Sequence, residues 1–150
     1  QGVEIEAKAN LAAGFDLLAA YTRLDTEVTA SNDGIRGNTP TAVPTHQASL
    51  WGDYTVQAGA LAGLGFGAGV RYVGATWGDS ANTFKVPAYT VVDAAIRYDL
   101  GQLSHRLDGA ALAVNASNLF DRDYVGSCTR ATSCYFGAGR TVVGTLTYAW

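Results

Sequence analysis

Hydrophobic and polar residues alternate one by one along most of this chain. The clearest example is residues 3–10, VEIEAKAN. Successive side chains of a β-strand point to opposite faces, so this period predicts a strand with one apolar and one polar face. Seven strands are predicted in this way, over residues 3–10, 15–29, 46–57, 64–77, 87–100, 106–118 and 139–150.

The connections between the predicted strands alternate in length. Short ones cover residues 10–14, 59–63 and 101–105, and long ones cover 30–45, 78–86 and 119–138. In an outer-membrane barrel, which has short periplasmic turns and longer outer loops, the long connections would lie on the external side. Tyr98, Tyr148 and Trp150 then lie near the periplasmic interface, where an aromatic girdle is expected.

The composition indicates the fold class to which the predicted strands belong. Of the 150 residues, 48% are hydrophobic and only 15% charged, against about 25% charged in soluble domains. No apolar run approaches the roughly 18 residues of a membrane helix. The prediction is an all-β fold, an antiparallel transmembrane β-barrel segment of about seven strands. Because an open sheet in lipid leaves backbone groups unpaired, an odd strand count favours the end of a larger barrel.

Two alternatives remain open at this point. The first is a small complete outer-membrane barrel with a structural or adhesive role, whose eighth strand lies hidden within residues 30–45. The second is a soluble binding barrel of lipocalin type, whose apolar residues face inward. Aromatic residues near the strand ends and the polar, glycine-rich second face favour a membrane barrel over a soluble one.

Other functions have little support in the sequence. The net charge is −3 and basic residues are scattered singly, which argues against a nucleic-acid partner. The glycines of GLGFGAG at 63–69 fall at every second residue and do not fit a dinucleotide loop; on an inward strand face they leave room for something packed inside. His46 and His105 are predicted at opposite strand ends, so no enzyme is expected.

The two cysteines, Cys128 and Cys134, lie six residues apart. Zinc sites usually take four Cys or His ligands, so these two alone make a poor metal site. A local disulfide is favoured over two free thiols, and it indicates an oxidising compartment.

Several segments together resemble one family. They are NLFD at 118–121, Tyr124, the cysteine pair, Arg140, the aromatic C-terminus, GVEIEA at 2–7 and VPAYTVVDAAIRYDL at 86–100. This combination resembles the C-terminal end of TonB-dependent siderophore receptors, most closely the ferric-hydroxamate (ferrichrome-type) branch. One departure is Thr129, where that branch tends to carry an aromatic residue.

The resemblance implies a 22-stranded bacterial outer-membrane barrel with a plug in its lumen, importing a ferric siderophore with energy from TonB. These 150 residues are then the C-terminal part of the barrel, without the plug. The implied partners are the siderophore, TonB through the plug, outer-membrane lipid, lipopolysaccharide and the barrel assembly machinery, which reads an ending such as Tyr148 and Trp150. No resident cofactor or metal is expected, because iron is the cargo.

Candidate ligand contacts follow from the predicted orientation. Bulky or charged side chains predicted to face inward in the outer halves of the strands are Trp51, Asp53, Arg71, Trp77, Tyr89 and Asp93. Aromatic residues of the last long loop add Tyr124, Tyr135 and Phe136. These side chains are expected either to form a siderophore vestibule or to pack against a plug or each other.

Overall fold

A computed structural model describes all residues, 1–150. The strands in chain order are β1 Gly2–Ala12, β2 Phe15–Leu24, β3 His46–Thr55, β4 Leu64–Val73, β5 Thr76–Trp77, β6 Lys85–Val86, β7 Tyr89–Asp99, β8 Ala110–Ser117, β9 Val125–Arg130, β10 Ser133–Phe136 and β11 Thr141–Tyr148. Two 3-10 helices cover Leu100–Gln102 and His105–Leu107.

Seven of these strands form one antiparallel sheet in the order β1-β2-β3-β4-β7-β8-β11. These are the seven strands that the alternating pattern predicts. The four remaining strands form two small hairpins, β5 with β6 and β9 with β10, which the sequence pattern does not reveal. Only 10 of the 150 residues are buried, because a single sheet has no second layer to cover either face.

Strand register divides the side chains of the main sheet into two sets. One set, which we call the polar face, includes Glu6, Ala20 and Ser49, paired in sequence across β1, β2 and β3. The opposite set, the apolar face, includes Ala19, paired with Leu50 on β3. Leu17 and Tyr21 of β2 lie on the apolar face together with Ala19.

A group of aromatic residues lies at one end of the apolar face. At the end with the short connections 13–14, 56–63 and 100–109, the short-turn rim, the register places Tyr54 opposite Phe66 and Leu64 opposite Tyr98. Tyr148 ends β11 at the same rim, with its ring centroid 6.4 Å from that of Trp150. This is the predicted aromatic girdle.

The long connections 25–45, 74–88 and 118–140 all lie at the opposite end, the long-loop rim. Neither of the two short 3-10 helices has the length or the apolar composition of a membrane-spanning helix. The loop over residues 25–45 contains no strand, so the proposed eighth strand within 30–45 is absent.

Three predicted strand limits are wrong by four or five residues, each because backbone groups find local partners. The second strand ends at Leu24 rather than at 29, since Val28 exchanges backbone hydrogen bonds with Gly37 and Asn38 inside its own loop. The sixth begins at 110 rather than 106, because residues 100–107 form the two 3-10 helices. The fourth ends at Val73 rather than 77, because residues 76–77 pair with 85–86 instead.

Candidate functional site

The centre of the polar face is a strip of three glycines on β4, at positions 65, 67 and 69. A Cβ at Gly67 or Gly69 would collide with the indole of Trp51, which crosses from the neighbouring strand. The alternate glycines therefore let large side chains of β3 and β7 lie flat on the wall, and this is the close approach that a glycine within a strand permits.

One ion pair spans this strip near the short-turn rim. Arg97 on β7 passes over Gly65, where an added Cβ would lie 2.7 Å from its guanidinium carbon, and reaches Asp53 on β3. Both terminal nitrogens of Arg97 donate to the Asp53 carboxylate, and one also donates to the Thr55 hydroxyl at 2.9 Å. A bidentate pair of this kind fixes both side chains against the wall.

A second ion pair lies nearer the long-loop rim. Arg71 on β4 donates from Nε to Asp93 Oδ2 at 2.6 Å and from Nη2 to Oδ1 at 3.2 Å. Asp93 Oδ1 also accepts the backbone N–H of Asn118 at 3.0 Å. This pair is therefore joined to the last long loop, whereas the Arg97–Asp53 pair contacts strand residues only.

An aromatic pocket of about 270 Å³ lies where β7 meets the last long loop. Tyr89 and Tyr124 stack there with ring centroids 4.1 Å apart. Arg122 lines the same pocket and donates from Nη1 to the Thr90 carbonyl at 3.1 Å. The lining residues are Pro87, Ala88, Tyr89, Arg122, Asp123, Tyr124, Val125 and Phe136. Aromatic walls with a few fixed polar groups are the usual make-up of a small-molecule site.

The predicted site residues thus divide into groups. Tyr89, Tyr124 and Phe136 come together at the pocket, while Arg71 pairs with Asp93 on the wall beside it. Trp51 packs over the glycine strip. Tyr135 is exposed and does not line the pocket.

Trp77 occupies a different place from the one predicted. It is not an inward residue of the fourth strand but pairs with Lys85 in the β5–β6 hairpin, where the Lys85 ammonium lies 4.7 Å from the indole centroid. The backbone N–H of Gly74 bonds to the carbonyl of His46. Since this is the last bond to the main sheet, the chain is free to leave it before Trp77.

Several hydrogen bonds join the two long loops that contain residues 25–45 and 74–88, and Asn82 makes two of them. Asn82 accepts the backbone N–H of Thr39 at 2.8 Å and donates to its carbonyl at 2.9 Å. Asp79 stabilises the turn that presents Asn82. Hydrogen bonds from the Thr83 hydroxyl and nearby backbone N–H groups hold the pKa of Asp79 below its usual value.

The predicted disulfide between Cys128 and Cys134 is present, and it joins β9 to β10. It therefore staples the two strands of the last-loop hairpin, residues 125–136. No group of three or more His, Cys, Asp or Glu side chains is arranged to hold a metal ion.

Sequence reasoning misses Asn118 as a structural centre. It is 3% exposed, and its φ of 50° is unusual for a residue other than glycine. Its amide donates to the carbonyls of Arg122 at 2.9 Å and Ala138 at 3.1 Å, and its side-chain oxygen accepts the N–H of Arg122. The available signal was the NLFD segment, because asparagine and aspartate tolerate left-handed backbone and bond to nearby peptide groups.

Comparison of the sequence with known protein families identifies the family of this chain. The model for "TonB dependent receptor-like, beta-barrel" matches residues 1–119. This chain belongs to the TonB-dependent receptor β-barrel family. The predicted resemblance is confirmed, and the polar face is assigned to the barrel lumen, since such barrels are apolar on the lipid side.

Two relatives and one solved structure give the range of similarity. The ferrichrome outer membrane transporter/phage receptor of Escherichia coli is 50% identical over 99% of this chain, and the ferrioxamine receptor of Yersinia enterocolitica is 41% identical over 99%. The crystal structure of the siderophore receptor PiuA from Acinetobacter baumannii superposes with a TM-score of 0.78 at 28% identity, over 98% of this chain and 21% of that one. This TonB-dependent chain spans 19% and 20% of the lengths of the first two.

Proposed function

We propose that this chain is the C-terminal wall of an outer-membrane receptor that binds a ferric hydroxamate siderophore and imports it with energy from TonB. The two relatives are named for ferrichrome and ferrioxamine, and the sequence resembles the ferric-hydroxamate branch of the family. The observation that carries the proposal is the aromatic pocket of Tyr89, Tyr124 and Phe136 at the long-loop rim. A bulky, partly apolar iron complex fits such walls.

The remaining parts of the receptor lie outside these residues in this proposal. The edge strands β1 and β11 do not pair with each other, and lipid provides no partner for their backbone groups. Strands elsewhere in a longer chain would therefore close the barrel, to 22 strands by family resemblance. A plug in the lumen would contact TonB.

The membrane partners follow from the same assignment. The apolar face would contact outer-membrane lipid and lipopolysaccharide, and the Tyr148–Trp150 ending would be read by the barrel assembly machinery. We propose that the receptor passes its ligand on without transforming it and needs no resident cofactor, since the iron is carried within the siderophore.

Uptake of radioactive iron as ferrichrome, by cells that express the full-length receptor, tests this function. Replacement of Tyr124 by Ala removes one wall of the pocket and is expected to weaken ferrichrome binding about tenfold, which corresponds to about 1.4 kcal/mol. Tyr72→Ala is the matched control, because Tyr72 lies at the same rim on the apolar face. Uptake that does not depend on the receptor, or equal effects of both variants, would contradict the proposal.

A further inference from the structure

The carboxylate of Asp93 joins two parts of the molecule. On the lumen side it is held by Arg71, through Nε–Oδ2 at 2.6 Å and Nη2–Oδ1 at 3.2 Å. On the loop side its Oδ1 accepts the backbone N–H of Asn118 at 3.0 Å. The Asp93 side chain is 17% exposed and that of Arg71 is 49% exposed. A nearly covered carboxylate thus links the accessible lumen wall to the first residue of the last long loop.

Asn118 in turn holds both arms of that loop. Its amide bonds to the carbonyl of Arg122 on the outgoing arm and to that of Ala138 on the returning arm. Asp121 adds a second closure, because its Oδ1 accepts the N–H of Arg140 at 2.7 Å, directly before β11. We call Asp93, Asn118 and Asp121 the loop clasp.

The loop clasp contributes to the position of the pocket wall, together with the bonds from the Leu119 N–H to the Val92 carbonyl and from Arg122 to the Thr90 carbonyl. Tyr124 follows Arg122 on the outgoing arm, and its carbonyl accepts the N–H of Gly137 on the returning arm. A Cβ at Gly137 would collide with the Tyr124 ring, so the two arms are in close contact at this point. Movement of Asn118 would therefore move Tyr124 away from Tyr89, although neither Asn118 nor Asp93 lines the pocket.

We infer that Asp93 is a positioning residue for the ligand pocket. Held in one orientation by Arg71, it seats the last long loop through Asn118 and so brings Tyr124 against Tyr89. The part of this inference that concerns ligand affinity rests on the proposed siderophore function. The part that concerns loop position does not.

The Arg97–Asp53 pair is a built-in control. It has the same chemistry and lies on the same face, but it joins β3 to β7 across the intervening β4, and its partners are strand residues only. If Asp93 acted merely by stabilising the wall, loss of Asp53 would have the same consequences.

The experiment compares Asp93→Ala with Asp53→Ala in the purified full-length receptor. Hydrogen exchange of residues 125–136 is measured without ligand, and ferrichrome affinity is measured by fluorescence quenching. Asp93→Ala is expected to speed exchange of the hairpin about tenfold, because a buried N–H loses its charged partner, and to weaken ferrichrome binding by a similar factor. Asp53→Ala should change either quantity less than twofold.

Two milder variants cover the case in which Asp93→Ala does not assemble. Asp93→Asn keeps an oxygen that accepts the Asn118 N–H and should restore most of the protection. Arg71→Gln keeps the Asp93 carboxylate but removes the guanidinium that orients it. An intermediate increase in the hydrogen exchange of the hairpin is expected.

The outcomes separate the two proposals. Unchanged hairpin exchange in Asp93→Ala, or equal changes in Asp93→Ala and Asp53→Ala, would overturn the positioning role. Faster exchange in Asp93→Ala, together with no ferrichrome binding by the unmodified receptor, would support loop seating and contradict the proposed ligand instead.

Discussion

The two faces of the same seven strands are specified in different ways. On the apolar face, neighbours such as Ala19 and Leu50 need only be compatible with lipid, and each residue satisfies that requirement by itself. On the polar face, Trp51 requires Gly67 and Gly69, and Asp53 requires Arg97 two strands away. The apolar face is therefore set residue by residue, and the polar face is set by combinations.

The largest expected effect comes from charge on the wrong face. Ala19 and Ala20 are adjacent in β2 but belong to the apolar and polar faces, respectively. Ala19→Arg should lower the free energy of unfolding in a bilayer by about 2–4 kcal/mol, because its charge enters lipid. Ala20→Arg, which faces Glu6 across the β1–β2 ladder, should cost well under about 1 kcal/mol.

Urea titration of the full-length receptor in lipid bilayers measures both free energies. Equal losses for the two arginine variants would show that the faces are not distinguished by their surroundings, and a larger loss for Ala20→Arg would mean that their assignment is reversed.

The next effect concerns the glycine strip. A methyl group at Gly69 would lie 2.7 Å from the Leu50 carbonyl oxygen and would also meet the Trp51 ring, whereas Gly144 on the apolar face has open space around it. Gly69→Ala is expected to destabilise the barrel by about 1–3 kcal/mol through overpacking. Gly144→Ala should be neutral or slightly stabilising. Thermal unfolding of the two variants side by side tests the difference, and a harmless Gly69→Ala would argue against the packing described for Trp51.

A smaller effect is expected from loss of the Arg97–Asp53 ion pair. Asp53→Asn leaves Arg97 without its carboxylate, and because both side chains are partly exposed the loss should be about 1 kcal/mol. Lys8 lies on the same face and takes part in none of the ion pairs of the chain, so Lys8→Gln should change stability by less than about 0.5 kcal/mol. Chemical denaturation of both variants at two salt concentrations makes the comparison, and only the Asp53→Asn difference should shrink with salt.

The smallest effect on the barrel as a whole is expected from the disulfide. Reduction of Cys128–Cys134 removes a local restraint worth about 2 kcal/mol to the hairpin, because the closed loop is very short. Protease cleavage within residues 125–136 should become faster, while the melting temperature of the barrel stays unchanged. Unfolding of the barrel on mild reduction would contradict this purely local role.

The same difference between the two faces explains which structural features could be predicted from the sequence. Alternation of single residues predicts all seven strands of the main sheet and their faces, since lipid acts on each residue separately. Cysteine spacing similarly predicts the bridge. The Arg97–Asp53 pair and the loop clasp join residues that are far apart in sequence. No local sequence pattern indicates which aspartate pairs with which arginine.

The misplacement of Trp77 and the short β9–β10 hairpin have a related cause. Both depend on loops that turn back on themselves through backbone bonds, such as the pairing of Thr76 with Val86. Such pairs are too short to produce a periodic signal. Tyr89, Tyr124 and Phe136, three of the candidate ligand contacts, line one pocket, whereas Asn118, which holds the pocket loop, was not predicted.

The most direct test of the two-face account is a spin-label scan along β2 in the full-length receptor, reconstituted in lipid. Single nitroxides are placed at each position from 15 to 22, and their accessibility to oxygen is compared with that to a water-soluble nickel chelate. Odd positions, which include Ala19, are predicted to show maximal oxygen contact, with minima at even positions such as Ala20. A reversed phase, or no period of two, would contradict the assignment of the polar face to the lumen.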